Sequence, residues 1–155
     1  GTLGQLGAAV AACRHNRCPL SLMLAELDDV DGLAFVHGLD GLSDLRRALE
    51  AACRGLEHTC TICLPHGEAG FAVVLPGSDR SSAIYLGNQL LDRVRLLSLN
   101  DGTGTPSTIG VSIGVATLSL PSKNFPPDDL FKAAARCLYG SHAAGGGVLK
   151  SIEIY

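Results

Sequence analysis

The chain has 155 residues, the length of one domain, since single cores commonly run to roughly 100 to 200 residues before chains split. Hydrophobic residues make up 46% and charged residues 17%; an average soluble protein has roughly 25% charged residues, so a disordered polyelectrolyte is excluded. Twelve Lys and Arg against fifteen Asp and Glu leave a net charge of -3, with no basic and aromatic cluster, which argues against nucleic-acid binding. The longest apolar runs fall far short of the ~20 residues that span a bilayer, so no membrane contact is expected. Gly1 opens the chain with neither Met nor a secretory leader, so residues 1–155 are read as a single domain excised from a longer protein.

Leu3, Leu6, Ala9, Val10 and Cys13 recur at helical spacing and predict a first helix over 3–16. Leu20, Leu22 and Leu24 then alternate with Ser21, Met23 and Ala25, both sets largely apolar, which predicts a central strand covered on both faces. It ends in acid: Glu26, Asp28, Asp29 and Asp31. After a Gly-rich stretch, Ser43 is placed to cap a helix with the stripe Leu45, Leu49, Ala52, Cys53 and Leu56. The runs 59–64 and 70–75, flanking Pro65, His66, Gly67 and Glu68, predict a hairpin. Ser78 is placed to cap the next helix, whose stripe is Ala83, Leu86, Leu90, Val94 and Leu97, and a polar loop follows over 100–107.

In the next strand Ile109, Val111, Ile113 and Val115 share one face, while Gly110, Ser112, Gly114 and Ala116 make the other flat enough for close helix packing. Pro126 and Pro127 pre-set a last helix, with Asp128 and Asp129 at its positive end and Leu130, Ala134, Cys137 and Leu138 as its stripe. Residues 148–154 close the chain as a strand. The order α-β-α-β-β-α-β-α-β predicts an α/β fold: a five-stranded mixed sheet with a central hairpin, flanked by helices. The six cysteines are read as reduced and mostly buried; Cys60 and Cys63 form a lone C-x-x-C in a strand-like run, without the second pair that a structural zinc needs.

Four segments, in this order, resemble the GGDEF domain of diguanylate cyclases, which join two GTP molecules into cyclic di-GMP. They are C-P-L-S-L-M-L-A-E-L-D-D-V-D, H-G-E-A-G-F-A-V-V-L-P-G, S-T-I-G-V-S-I-G-V-A and P-P-D-D-L-F-K-A-A-A-R-C-L-Y-G-S-H-A-A-G-G-G. The resemblance spans nearly the whole chain and implies the nucleotide-cyclase fold, akin to the palm of polymerases. It also implies metal-assisted attack of a 3'-hydroxyl on an α-phosphate, with carboxylates facing the triphosphate.

Carried over onto this chain, the five signature positions are Gly67, Glu68, Ala69, Gly70 and Phe71. The hairpin metal carboxylate becomes Ala69 and the catalytic Glu becomes Gly70; Glu68 sits one place away, where a strand-like alternation points it to the other side. The first-strand metal position falls on Glu26, with Asp28 two residues on and facing the same way. The guanine-contacting Asn falls on Ala34 and its Asp partner near Leu42 or Ser43. The phosphate-contacting Lys becomes His142, followed by Gly146 and Gly147 in place of Arg and Asn, and the two product-site positions are His58 and Thr61.

The expected function is therefore that of a degenerate, catalytically inactive GGDEF domain, a signalling or dimerisation module in a cytoplasmic bacterial protein. Its expected partners are other domains of the same protein or a second copy. No catalytic residue and no cofactor is expected; magnesium enters only with residual nucleotide binding, at Glu26 and Asp28, with His142 as the one nucleotide contact. The alternatives are a divergent diguanylate cyclase using Glu26, Asp28 and Glu68, or a receptor that binds GTP or a cyclic dinucleotide without chemistry.

Overall fold

The computed structural model describes residues 1–58, 62–97 and 109–155. Among the described residues, four helices and five strands follow the predicted order: α1 (Thr2–Asn16), β1 (Leu20–Leu27), α2 (Val30–Arg54), β2 (Ile62–His66), β3 (Gly70–Pro76), α3 (Arg80–Arg95), β4 (Val111–Leu118), α4 (Pro127–Ala143) and β5 (Leu149–Ile154). The strands form one mixed sheet in the order β2-β3-β1-β4-β5. β1 lies at its centre, antiparallel to β3 and β4, while β5 joins β4 in parallel.

The alternation of β1 divides the core into two layers. Met23, Ala25 and Leu27 face α2 and α3 with Leu45, Leu49 and Leu90, whereas Leu20, Leu22 and Leu24 face α1 and α4 with Leu6, Val10, Leu130 and Leu138. All six of these strand residues are at most 2% exposed, which explains why β1 reads as apolar on both faces. Burying a Leu or Met fully stabilises by about 1.5–3 kcal/mol, so this central strand anchors both layers at once. The flat face of β4 does what its small residues predict. A β-carbon on Gly114 would collide with the backbone of α4 at Ala134 and Leu138, and Ser141 of α4 donates a hydrogen bond to the Ile113 carbonyl at 2.8 Å.

Three sequence expectations are corrected. The Gly-rich stretch after β1 is helical: α2 starts at Val30, and Ser43 lies inside it rather than at its cap. Asp29 caps α2 instead, accepting from the Gly32 amide at 3.2 Å, and a break at Gly38 (φ 75°, ψ 175°) separates two helical halves. Burial of Leu33 and Leu42, each 8% exposed, outweighs the low helix propensity of the glycines. At α3 the cap is Asp79, which accepts from the Ser82 amide at 2.9 Å, rather than Ser78. Pro65 and His66 belong to β2 itself rather than to the turn. The start of the predicted run 59–64 and the loop 100–107 lie outside the described residues.

Cys13, Cys53 and Cys63 are buried free thiols, and Cys18 and Cys137 are partly buried; Cys60 lies outside the described residues. Burial is the main cause that pushes the Cys13 thiol up to about 11, so it stays protonated and unreactive at neutral pH.

Candidate functional site

The antiparallel register brings four residues from four strands into one row: His66 of β2, Gly70 of β3, Glu26 of β1 and Ser112 of β4. Neighbouring strands lie about 4.8 Å apart, so His66 and Glu26 sit two strand spacings from one another. Their side chains nevertheless meet over Gly70, with His66 Nε2 3.6 Å from Glu26 Oε2. The glycine makes this possible. A β-carbon there would lie 2.5 Å from Glu26 Cγ, 2.6 Å from the Ala25 carbonyl oxygen and 2.8 Å from the His66 carbonyl oxygen. The His66 ring also packs edge-on against Phe131 of α4, with ring centres 5.5 Å apart.

α4 delivers His142 to the same place in its last turn. Its Nε2 lies 2.9 Å from Glu26 Oε1, and its Nδ1 lies 3.3 Å from Asp28 Oδ1. The contact with Glu26 is a hydrogen bond, and the one with Asp28 is an ion pair when the ring is charged. Asp28 is further held by the Ser112 hydroxyl, which donates to Oδ1, and by the Gly147 amide, which donates to Oδ2 at 2.8 Å. Gly110 and Gly146 close over the same carboxylate. A β-carbon would lie 2.7 Å from Asp28 Oδ2 at Gly110 and 2.6 Å from it at Gly146. Positive φ at Gly146 and Gly147 (80° and 70°) bends the chain tightly enough to aim the amide.

Glu26, Asp28 and His142 thus form one cluster on the α1/α4 side of the sheet. Of the signature positions, Gly70 lies beneath this cluster and Gly67 beside it, where a β-carbon would lie 3.0 Å from Glu26 Oε2; the other three are elsewhere. Ala69 and Phe71 are buried in the α2/α3 layer, and the Ala69 carbonyl accepts from the Leu27 amide at 3.0 Å. Glu68 is exposed and lines a separate concavity of about 150 Å³ with Leu39, Leu42, Ser43 and Arg46. Ala34 packs against the α2/α3 core. His58 borders a wider concavity of about 430 Å³ with Glu57, Ser81 and Tyr85 at the start of α3, and burial holds its pKa below the usual histidine range. Thr61 lies outside the described residues.

His66 and Ser112 are members that the sequence reading missed. Both are remote from Glu26 along the chain, and only the strand pairing puts all three in one row. Among the described residues, no group of three or more His, Cys, Asp or Glu is placed to hold a metal ion, and no helix is long and apolar enough to cross a membrane.

No protein-family profile matches the sequence, and no curated protein matches it. Solved structures do. The active GGEEF domain of a diguanylate cyclase from Vibrio cholerae superposes with a TM-score of 0.87 at 19% identity, covering 99% of this chain and 96% of that one. The GGDEF domain of FimX from Pseudomonas aeruginosa gives 0.81 at 26% identity, covering 98% and 90%. The GGDEF domain of DgcB from Caulobacter crescentus, solved in complex with c-di-GMP, gives 0.85 at 17% identity, covering 96% and 86%. The chain has the fold of a GGDEF domain.

Proposed function

We propose that this chain is a degenerate GGDEF domain that passes signals through protein contacts and does not make cyclic di-GMP. The observation that carries this reading is the meeting of His66 and Glu26 over Gly70. In the resemblance that the sequence shows, that position bears the catalytic Glu, and here the space for its β-carbon is taken by Glu26 Cγ and the backbone carbonyls of Ala25 and His66. Ala69 supports the same reading, since a methyl group buried in the α2/α3 layer replaces the hairpin metal carboxylate.

The donors present do not suit magnesium, which demands near-octahedral oxygen ligands. Both carboxylate oxygens of Glu26 face imidazoles, and those of Asp28 are taken up by the Ser112 hydroxyl, the Gly147 amide and His142. The cluster works as a structural tie between the end of β1, the start of β4 and the α4–β5 turn. The domain's partners in this reading are flanking domains of the same bacterial, cytoplasmic protein, or a second copy of the domain.

Calorimetric titration with GTP, with and without magnesium, combined with a pyrophosphate-release assay, tests the proposal. We expect no saturable magnesium-dependent heat and no pyrophosphate. Magnesium-dependent release that Glu26→Ala abolishes would establish a divergent cyclase instead, and binding without release would establish a nucleotide receptor.

A further inference from the structure

The first half of α2 presents apolar side chains that the fold leaves uncovered. Phe35 is 91% exposed, Leu39 78% and Val36 50%, and the three straddle the break at Gly38. Leu39 also forms one wall of the concavity lined by Leu42, Ser43, Arg46 and Glu68, so a protruding patch leads directly into a recess. Grouped exposed apolar side chains beside a recess mark interaction sites on soluble domains.

From the end of β1 to the recess, the formal charges along the chain have one sign. Every formal charge from Asp28 to Leu45 is negative, at Asp28, Asp29, Asp31, Asp40 and Asp44, and the first cation is Arg46. Asp29, Asp31 and Asp40 are exposed. Asp44 pairs with Arg47, whereas Asp31 and Asp40 have no cation partner among the described residues. Apart from the break at Gly38, the face is helical with internal backbone hydrogen bonds, so it offers a partner mainly side chains. That suits a second helix, whose own backbone is likewise satisfied, and excludes addition of a strand.

We infer that this face docks a basic amphipathic helix of a partner protein, with its apolar stripe on Phe35, Val36 and Leu39 and its Lys or Arg side chains against Asp31 and Asp40. Charge decides between occupants. A second copy of this face would set carboxylates against carboxylates, and an anionic lipid surface would meet the same repulsion, while a basic helix gains on both counts. The surface stands on exposed side chains and their charges, so it holds whether or not the nearby Glu26 cluster turns over nucleotide.

The test is fluorescence anisotropy of a labelled synthetic amphipathic Leu/Lys helix titrated with the protein, beside the same peptide carrying Glu for Lys. The expected result is saturable binding of the Lys peptide alone. Phe35→Ser with Leu39→Ser should weaken it roughly tenfold or more, and Asp31→Asn with Asp40→Asn should weaken it and flatten its salt dependence. All four side chains are exposed, and circular dichroism verifies that both variants fold. Equal binding of the two peptides, or unchanged affinity in either double variant, overturns the proposal. A dimer in light scattering that the Phe35/Leu39 variant dissolves would make the occupant a second copy. Phe35-dependent sedimentation with phosphatidylglycerol vesicles, without peptide binding, would make it a membrane; either result overturns the inference as stated.

Discussion

Gly70 sets the character of the Glu26 cluster through an atom it lacks. Its backbone runs so close to Ala25 and His66 that a β-carbon would meet carbonyl oxygens at 2.6 and 2.8 Å, and backbone cannot swing aside as the end of a side chain can. Overpacking of this kind typically costs about 1–3 kcal/mol. Gly70→Ala should therefore lower stability by about 2 kcal/mol, read as a drop in the urea midpoint at unchanged slope. A variant as stable as the wild type would show that the strands relax freely and that the close approach is not a constraint.

Individual helices depend on end groups that local sequence offers in duplicate. Ser78 and Asp79 both precede α3, and both are acceptable cap types. The choice falls on Asp79 because the Ser78 carbonyl is bound by the Ser21 hydroxyl at 2.8 Å, fixing Ser78 in the turn against the sheet. Hydrogen bonds from the Ser82 amide and hydroxyl hold the Asp79 carboxyl below its ordinary range. A carboxylate with a depressed folded pKa contributes stability above its unfolded pKa, near about 3.9, and loses it as pH falls through the folded value. Asp79→Ala should cost about 1 kcal/mol at neutral pH. The gap to the wild type should narrow below about pH 4, which paired urea titrations at the two pH values would measure; a gap that does not change with pH would assign the cost to packing. Helix α2 shows the opposite balance, because two buried leucines and an aspartate cap keep it helical on both sides of its break at Gly38, in a glycine-rich stretch that argues for a loop.

Across the whole molecule, in the proposed reading, the positions that the cyclase resemblance singles out are reassigned in concert. β1 and the residue after it contribute Glu26 and Asp28, β3 contributes Gly70, α4 contributes His142 and the α4–β5 turn contributes Gly147, all to one tied cluster. Restoring signature letters at two places does not undo that. The double variant Ala69→Asp, Gly70→Glu should release no pyrophosphate from GTP with magnesium, because the side chain introduced at Gly70 would collide with Glu26 and the Asp28 oxygens would stay occupied. Turnover in that variant would show that the two missing carboxylates alone separate this chain from an active cyclase.

The periodicities of the sequence by themselves determined the nine-element order, the doubly covered central strand and the flat face of β4, because burial against one or two layers imprints a repeat on neighbouring residues. They also placed Glu26 and Asp28 on one side of a strand end, since alternation is a local property. Tertiary structure alone decided that His66 and Ser112 join them and that His142 reaches both carboxylates, because strand register and the reach of α4 bring together residues far apart in the chain. It also decided that the glycine-rich segment after β1 is helical, since the burial of Leu33 and Leu42 that offsets the glycines exists only once the sheet is present.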